Sequence, residues 1–143
     1  MFSKACKYAI NAMIYVATLQ SEKKRAGLKD IALAISSPEA FTGKILHALV
    51  KSELLVSTKG PNGGFALKNS PDEIVLAEIV VSVDGEMRLK ACAIGIEKCS
   101  KQYPCPVHFK FKAVREHLFG MLLTTNLKEV AERVNTGLSF LKQ

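Results

Sequence analysis

Through the first twenty positions apolar residues recur at helical spacing, with Ala5, Tyr8, Ala9, Ala12, Val16 and Leu19 on one stripe. That period predicts an amphipathic helix. A polar, Gly-ended connection over residues 21–27 follows, then a short helix from Leu28 to Ile35 with Leu28, Ile31, Ala32 and Ile35 on one face. Ser36-Ser37-Pro38 reads as a restart, a serine able to cap and a proline suited to a first turn. The third helix runs from Glu39 to Ser52. Its apolar stripe is Phe41, Ile45, Ala48 and Leu49, supported by Leu46 and Val50; Glu39, Ala40, Gly43, Lys44, His47 and Lys51 form the opposite face. Leu54–Thr58 and Phe65–Leu67 then read as paired strands, joined by the turn Lys59-Gly60-Pro61-Asn62-Gly63-Gly64.

Ser70-Pro71-Asp72-Glu73 marks a boundary, beyond which the pattern coarsens. Ile74-Val75 reads as a short strand and Leu76–Val83 as a helix ending near Asp84-Gly85. An irregular loop covers about residues 88–106. A long helix from Val107 to about Leu123 puts Val107, Phe111, Val114, Leu118, Met121 and Leu122 on one face, and Asn126 caps a last helix, Leu127–Val134. A helix this long, so late in a small chain, has little local core left to cover. The expected solution is a homodimer with twofold symmetry; the competing reading packs the helix back on its own chain. The fold class is thus mainly α with a small β-hairpin wing: a winged helix-turn-helix over residues 1–70, then a cysteine loop and dimerisation helices over 71–143.

At 143 residues with 48% apolar content, the chain is long and apolar enough for one packed domain, or a small one with an appended helical segment. No run reaches the roughly 18 uninterrupted apolar residues of a membrane span. Lys4 and Lys7 before apolar residues imitate a signal peptide, but Asn11 interrupts the apolar stretch and the helical period persists. A cytoplasmic protein with reduced thiols is the expectation. Net charge is +7, distributed unevenly: residues 1–70 hold ten Lys/Arg against four Asp/Glu, and residues 71–143 ten against nine. A polyanion would dock on the first half.

Three short helices followed by a basic, Gly-tipped hairpin is the plan of a winged helix-turn-helix, whose third helix enters the major groove of double-stranded DNA. The glycine-rich tip is not a nucleotide P-loop, which needs a strand, a loop ending in Lys-Ser/Thr and a helix. The contact set expected on DNA is Lys4, Glu39, Thr42, Gly43, Lys44, His47, Lys51, Lys59, Asn62 and Gly63. Lys44, His47 and their neighbours read bases. Lys59, Asn62 and the glycine amides of the wing touch the backbone, and Lys4 and Lys51 touch phosphates. A twofold dimer implies a near-palindromic operator.

Three of the four cysteines share one loop, with spacing Cys92-x6-Cys99-x5-Cys105-x2-His108. A zinc ribbon or knuckle carries close Cys-x2-Cys pairs, and none is present. Thiolates spaced along a flexible loop can wrap an iron–sulfur cluster, with the imidazole just inside the following helix as fourth ligand. Another metal, thiol-only sensing and a ligand-free loop stay open. A thiol enzyme using Cys105 with His108 is disfavoured, because two prolines flank the cysteine and no orienting or oxyanion-binding group stands out. Cys6 reads as a small buried side chain and His117 as a surface or interface residue.

These residues carry a family resemblance. Lys7-Tyr8-Ala9, Phe41-Thr42-Gly43-Lys44-Ile45-Leu46, Lys59-Gly60-Pro61-Asn62-Gly63-Gly64-Phe65-Ala66-Leu67 and the three spaced cysteines are similar to those of the winged-helix regulators that include the iron–sulfur cluster regulator (IscR), the nitric-oxide-sensing repressor (NsrR) and the cysteine-metabolism repressor (CymR). The resemblance implies a dimeric DNA-binding transcription factor, not an enzyme, with long helices crossing at the dimer interface. It implies a 2Fe-2S cluster on Cys92, Cys99, Cys105 and His108, with one extra residue between the first two cysteines; a 4Fe-4S cluster is the alternative. Lys7 stands where nitric-oxide sensors of the family carry an acidic ligand, and Gly43 where IscR carries the acidic residue that chooses between operator types. Operator preference is therefore not implied.

Overall fold

Ser3 opens the first helix, its hydroxyl accepting the Cys6 N–H at 3.0 Å. In the computed structural model, which describes residues 2–141, the helices are α1 (Lys4–Thr18), α2 (Leu28–Ala34), α3 (Glu39–Lys51), α4 (Leu76–Lys90), α5 (His108–Thr124) and α6 (Leu127–Asn135). The strands β1 (Leu55–Thr58) and β2 (Gly64–Leu67) form the antiparallel hairpin between α3 and α4, in the register Leu55↔Leu67 to Thr58↔Gly64. Among the described residues no helix is long and apolar enough to cross a membrane.

One core unites both ends of the chain. Met13, Ile31, Leu46, Leu49, Leu55, Ile74, Ile79 and Leu127 are all fully buried and belong to a single cluster, which therefore runs across residue 70. Each such side chain contributes about 1.5–3 kcal/mol through removal from water. A smaller cluster of Cys6, Ala77, Val80 and Leu122 joins α1, α4 and α5. Asn126 caps α6 as expected, accepting the Glu129 N–H at 2.9 Å. Glu78 reaches back to the Val75 N–H at 2.9 Å at the start of α4.

Four local expectations are corrected. The serines before α3 do not cap it: Pro38 occupies the N-cap without a side-chain bond. Ser36 is left-handed (φ 53°), and the Ser36 and Ser37 N–H groups return to the carbonyls of Leu33 and Ala32 at 3.3 and 2.9 Å. That is a Schellman closure of α2, and it leaves the Ser37 hydroxyl buried without a partner. Second, the break at Gly85 (φ 74°, ψ 158°) interrupts α4 without ending it. The helix resumes to Lys90, so the cysteine loop begins at Ala91. Third, Ile74-Val75 is reduced to a single bridge, Val75 to Asn126. Last, α5 begins at His108, with Val107 as its N-cap.

The wing's glycines have separate duties. At Gly63 a Cβ would lie 2.2 Å from the Thr58 carbonyl oxygen, so no side chain fits inside the turn. Gly64 (φ 131°) brings β2 against Ala26, where a Cβ would lie 2.7 Å from the Ala26 oxygen. The Ala26 and Phe65 backbones exchange hydrogen bonds there at 2.9 and 2.8 Å, tying the base of the wing to the segment before α2.

Candidate functional site

Helix α3 divides as its period requires. Thr42, Ile45, Leu46 and Leu49 are buried, while Glu39, Ala40, Lys44, His47 and Lys51 are exposed. Thr42 is a correction to the expected contact set: it is 0% exposed and its hydroxyl donates to the Pro38 carbonyl at 2.9 Å, so its side chain cannot reach a ligand. Gly43 is half-buried, and a Cβ there would meet only Leu28 methyls at 3.8 and 3.9 Å. Tyr8 packs edge-on against Phe41 at 5.8 Å between centroids, and the Lys4 ammonium sits 5.9 Å from the Tyr8 ring. Lys4 is thereby held near the first turn of α3. Lys59 and Asn62 are exposed on the wing, with Gly63 half-buried inside its turn. Among the described residues Lys4, Lys44, Lys51 and Lys59 form no ion pair, whereas Lys24, Lys68, Arg88, Lys90 and Lys112 do.

The cysteine loop brings its sulfurs together. Cys92, Cys99 and Cys105 are half-buried, and their Sγ atoms all lie within 4.8 Å of one another. Cys92 and Cys105 face each other at 3.7 Å, and Cys99 Sγ accepts the Cys105 N–H at 3.4 Å. His108, the first residue of α5, places Nδ1 3.1 Å from Cys99 Sγ and so joins the group through one sulfur. The Ile96 and Ile94 amides lower the Cys92 thiol to about 7, because backbone N–H groups stabilise the thiolate. Cys105 is held above the ordinary thiol value by desolvation and by the neighbouring Cys99 and Cys92 sulfurs. Arg115 of α5 donates to the Ala91 carbonyl at 3.0 Å, fixing the start of the loop.

A second polar node was invisible to sequence spacing, because its members lie 81 residues apart. Asp84, the last residue before the Gly85 break, accepts the Ser3 N–H at 2.9 Å and the Ser3 hydroxyl. Its side chain is 4% exposed, and Arg88 approaches it at 3.7 Å. Burial raises the Asp84 pKa, but the Ser3 bonds, Arg88 and Cys6 together hold it below the usual aspartate range. Cys6 beside it is fully buried, and its thiol is pushed up to about 12 by burial and by the Asp84 charge. The start of α1 is thus tied to the point where α4 breaks ahead of the cysteine loop. His117 is exposed on α5.

Between the end of α4, the start of the loop and α5 lies an open groove of about 930 Å³, lined in part by Leu89, Cys92, His108, Phe111 and Phe119. Of the residues of α5 only Leu122 is buried. Phe109, Phe111, Val114, Phe119, Met121 and Leu123 remain exposed.

Known proteins with the same organisation are transcriptional regulators. The regulator IscR of Photorhabdus laumondii is 30% identical over 124 residues, covering 87% of this chain and 74% of that one. The regulator NsrR of Geobacillus kaustophilus is 28% identical over 138 residues, covering 96% and 93%. The solved structure of CymR, the global cysteine regulator of Bacillus subtilis, superposes with a TM-score of 0.76 at 22% identity, over 92% of this chain and 96% of that one, and carries the fold alone. The family model for Rrf2, iron-dependent transcriptional regulators, matches residues 2–137. With this match over nearly its whole length, the chain belongs to the Rrf2 family of DNA-binding transcriptional regulators.

Proposed function

We propose that this chain is a dimeric, cytoplasmic regulator whose affinity for a near-palindromic operator is set by an iron–sulfur cluster on Cys92, Cys99 and Cys105, with His108 as fourth ligand. The observation that carries the proposal is the convergence of three sulfurs within 4.8 Å, with an imidazole nitrogen 3.1 Å from one of them. This donor set fits the group: thiolate sulfur is the preferred cluster ligand, and imidazole replaces it where a higher potential is needed. When bound, the cluster supplies a redox-active centre whose assembly and loss follow iron supply, oxidants or nitric oxide. A 2Fe-2S cluster is favoured over 4Fe-4S.

The chain's own residues supply the rest. Lys44 and His47, flanked by Glu39 and Gly43, present the base-reading face. Lys59 and Asn62 approach the backbone beside Gly63, whose own N–H donates to the Gly60 carbonyl at 2.9 Å, and Lys4 and Lys51 neutralise phosphate. Val114, Met121 and the other exposed apolar residues of α5 meet the same helix of a second copy. Arg115 ties the start of the sulfur loop to α5, and the Ser3–Asp84 bonds tie α4, just ahead of that loop, to α1, so the packing of the loop and the placement of the two reading heads change together.

The test is anaerobic purification with iron and sulfide analysis, a visible spectrum and operator binding across a salt series. Iron, sulfide and visible absorption are expected, and are lost in Cys92→Ser, Cys99→Ser and Cys105→Ser. Operator affinity falls steeply with salt as counterions are released. A colourless protein that binds its operator equally well with all three cysteines replaced overturns the sensor and leaves the DNA-binding regulator standing.

A further inference from the structure

The sulfur loop has a second chemistry that needs no metal. Cys92 and Cys105 face each other with 3.7 Å between sulfurs, across thirteen positions of chain. Closing that gap to a disulfide of about 2.05 Å requires a shift of under two ångström. The intervening segment can supply it: Ala93 to Lys98 are all exposed, and Gly95 (φ 77°) has no neighbour within 4 Å of a built Cβ. Cys99 lies within 4.8 Å of both, but its sulfur already accepts the Cys105 N–H and faces the His108 ring. Cys6 cannot compete, since it is fully buried at the α1–α4 contact.

We propose that, in the metal-free chain, Cys92 and Cys105 are a peroxide-responsive pair that closes an intramolecular disulfide and leaves Cys99 as a free thiol beside His108. One sulfur of the pair, as thiolate, attacks a peroxide oxygen. The O–O bond breaks, giving a sulfenic acid and, after protonation, water. The other sulfur attacks the oxidised one; the S–O bond breaks and the departing hydroxide takes up a proton as a second water. Two thiols and one hydrogen peroxide thus yield one disulfide and two waters, with both electrons passing from sulfur to oxygen. The bridge withdraws two of the three sulfur donors. This consequence rests on the metal reading; the bridge itself does not.

The test uses the metal-free full-length chain, treated with near-stoichiometric hydrogen peroxide and then with an alkylating reagent. Trypsin cleavage after Lys90, Lys98, Lys101 and Lys110 separates the three cysteines. The expected product is about 2 Da lighter before alkylation, links residues 91–98 to residues 102–110, and carries an alkylated Cys99. The Cys99→Ser chain still loses the 2 Da, whereas Cys92→Ser and Cys105→Ser do not. Offered ferrous iron and sulfide, the bridged chain takes up none until a thiol reductant is added. A bridge through Cys99, cross-linked dimers or sulfinic acids without a bridge overturns the proposal. If the bridge maps as stated but neither the reduced nor the oxidised chain binds iron, the cluster reading fails and the redox pair survives.

Discussion

Helices α1 and α5 are of similar length and both rich in apolar residues, yet the fold uses them differently. In α1, Cys6, Ala9, Ala12, Met13, Ile14, Val16 and Ala17 are buried, whereas α5, two residues longer, buries Leu122 alone. The first is enclosed by α2, α3, α4, α6 and the wing; the second rests on α4 and, through Leu122, on Cys6 of α1. An apolar stripe is therefore half of a statement, completed by whatever lies opposite it. For α1 that is the rest of the chain. For α5 it is the proposed second copy, and the neighbouring loop is completed in the same way by its proposed cofactor.

The comparison breaks most visibly if α5 is not an interface. Val114→Glu with Met121→Glu should convert a dimer into a folded monomer in sedimentation analysis and lower operator affinity by at least about tenfold, since burying two carboxylates in an apolar contact is costly. A variant that sediments like the original defeats the assignment. Next in size is the contrast between cores. Leu46→Ala, at a fully buried position, should cost about 2–5 kcal/mol in urea unfolding. Phe109→Ala, at a site 61% exposed, should stay within about 0.5 kcal/mol when unfolding is followed at low protein concentration.

The two halves should also differ toward DNA. Lys44→Ala is expected to cost about 1–3 kcal/mol of operator binding, while Lys110→Ala on α5 should leave it unchanged. Equal losses would mean that charge alone, rather than the α3 face, drives binding. The node between the halves predicts a pH dependence. Asp84 has a lowered folded pKa, so its contribution to stability is present above the ordinary aspartate value of about 3.9 and is lost as pH falls through the folded value. Thermal unfolding of Asp84→Asn should show a flatter acid limb than the original chain. The smallest effects concern glycine. Gly43→Ala should stabilise by about 0.5–1 kcal/mol, since the site is helical and uncrowded. Gly85→Ala should destabilise by roughly 1 kcal/mol through its positive φ; calorimetry reads both signs.

Period and turn chemistry were enough, from the sequence alone, to find the helices, the hairpin and the cap at Asn126, because each depends on groups within four or five positions of one another. The exposed face of α3, proposed to read DNA, was legible for the same reason, save at Thr42, whose hydroxyl can turn inward to the preceding turn as easily as outward. Cys92, Cys99, Cys105 and His108 were nameable as a set from spacing. That three sulfurs meet, that His108 bonds to Cys99, and that Cys92 faces Cys105 depend on how the loop folds over the start of α5. Ser36 and Ser37 looked like a cap for α3 and instead close α2, where Ser36 turns left-handed and both N–H groups return to α2 carbonyls. The Ser3–Asp84 contact had no local signal at all. Periodicity records which side of an element seeks burial. Which surface covers it, and which distant carboxylate meets a helix cap, is decided when the helices pack, and there the tertiary structure alone was informative.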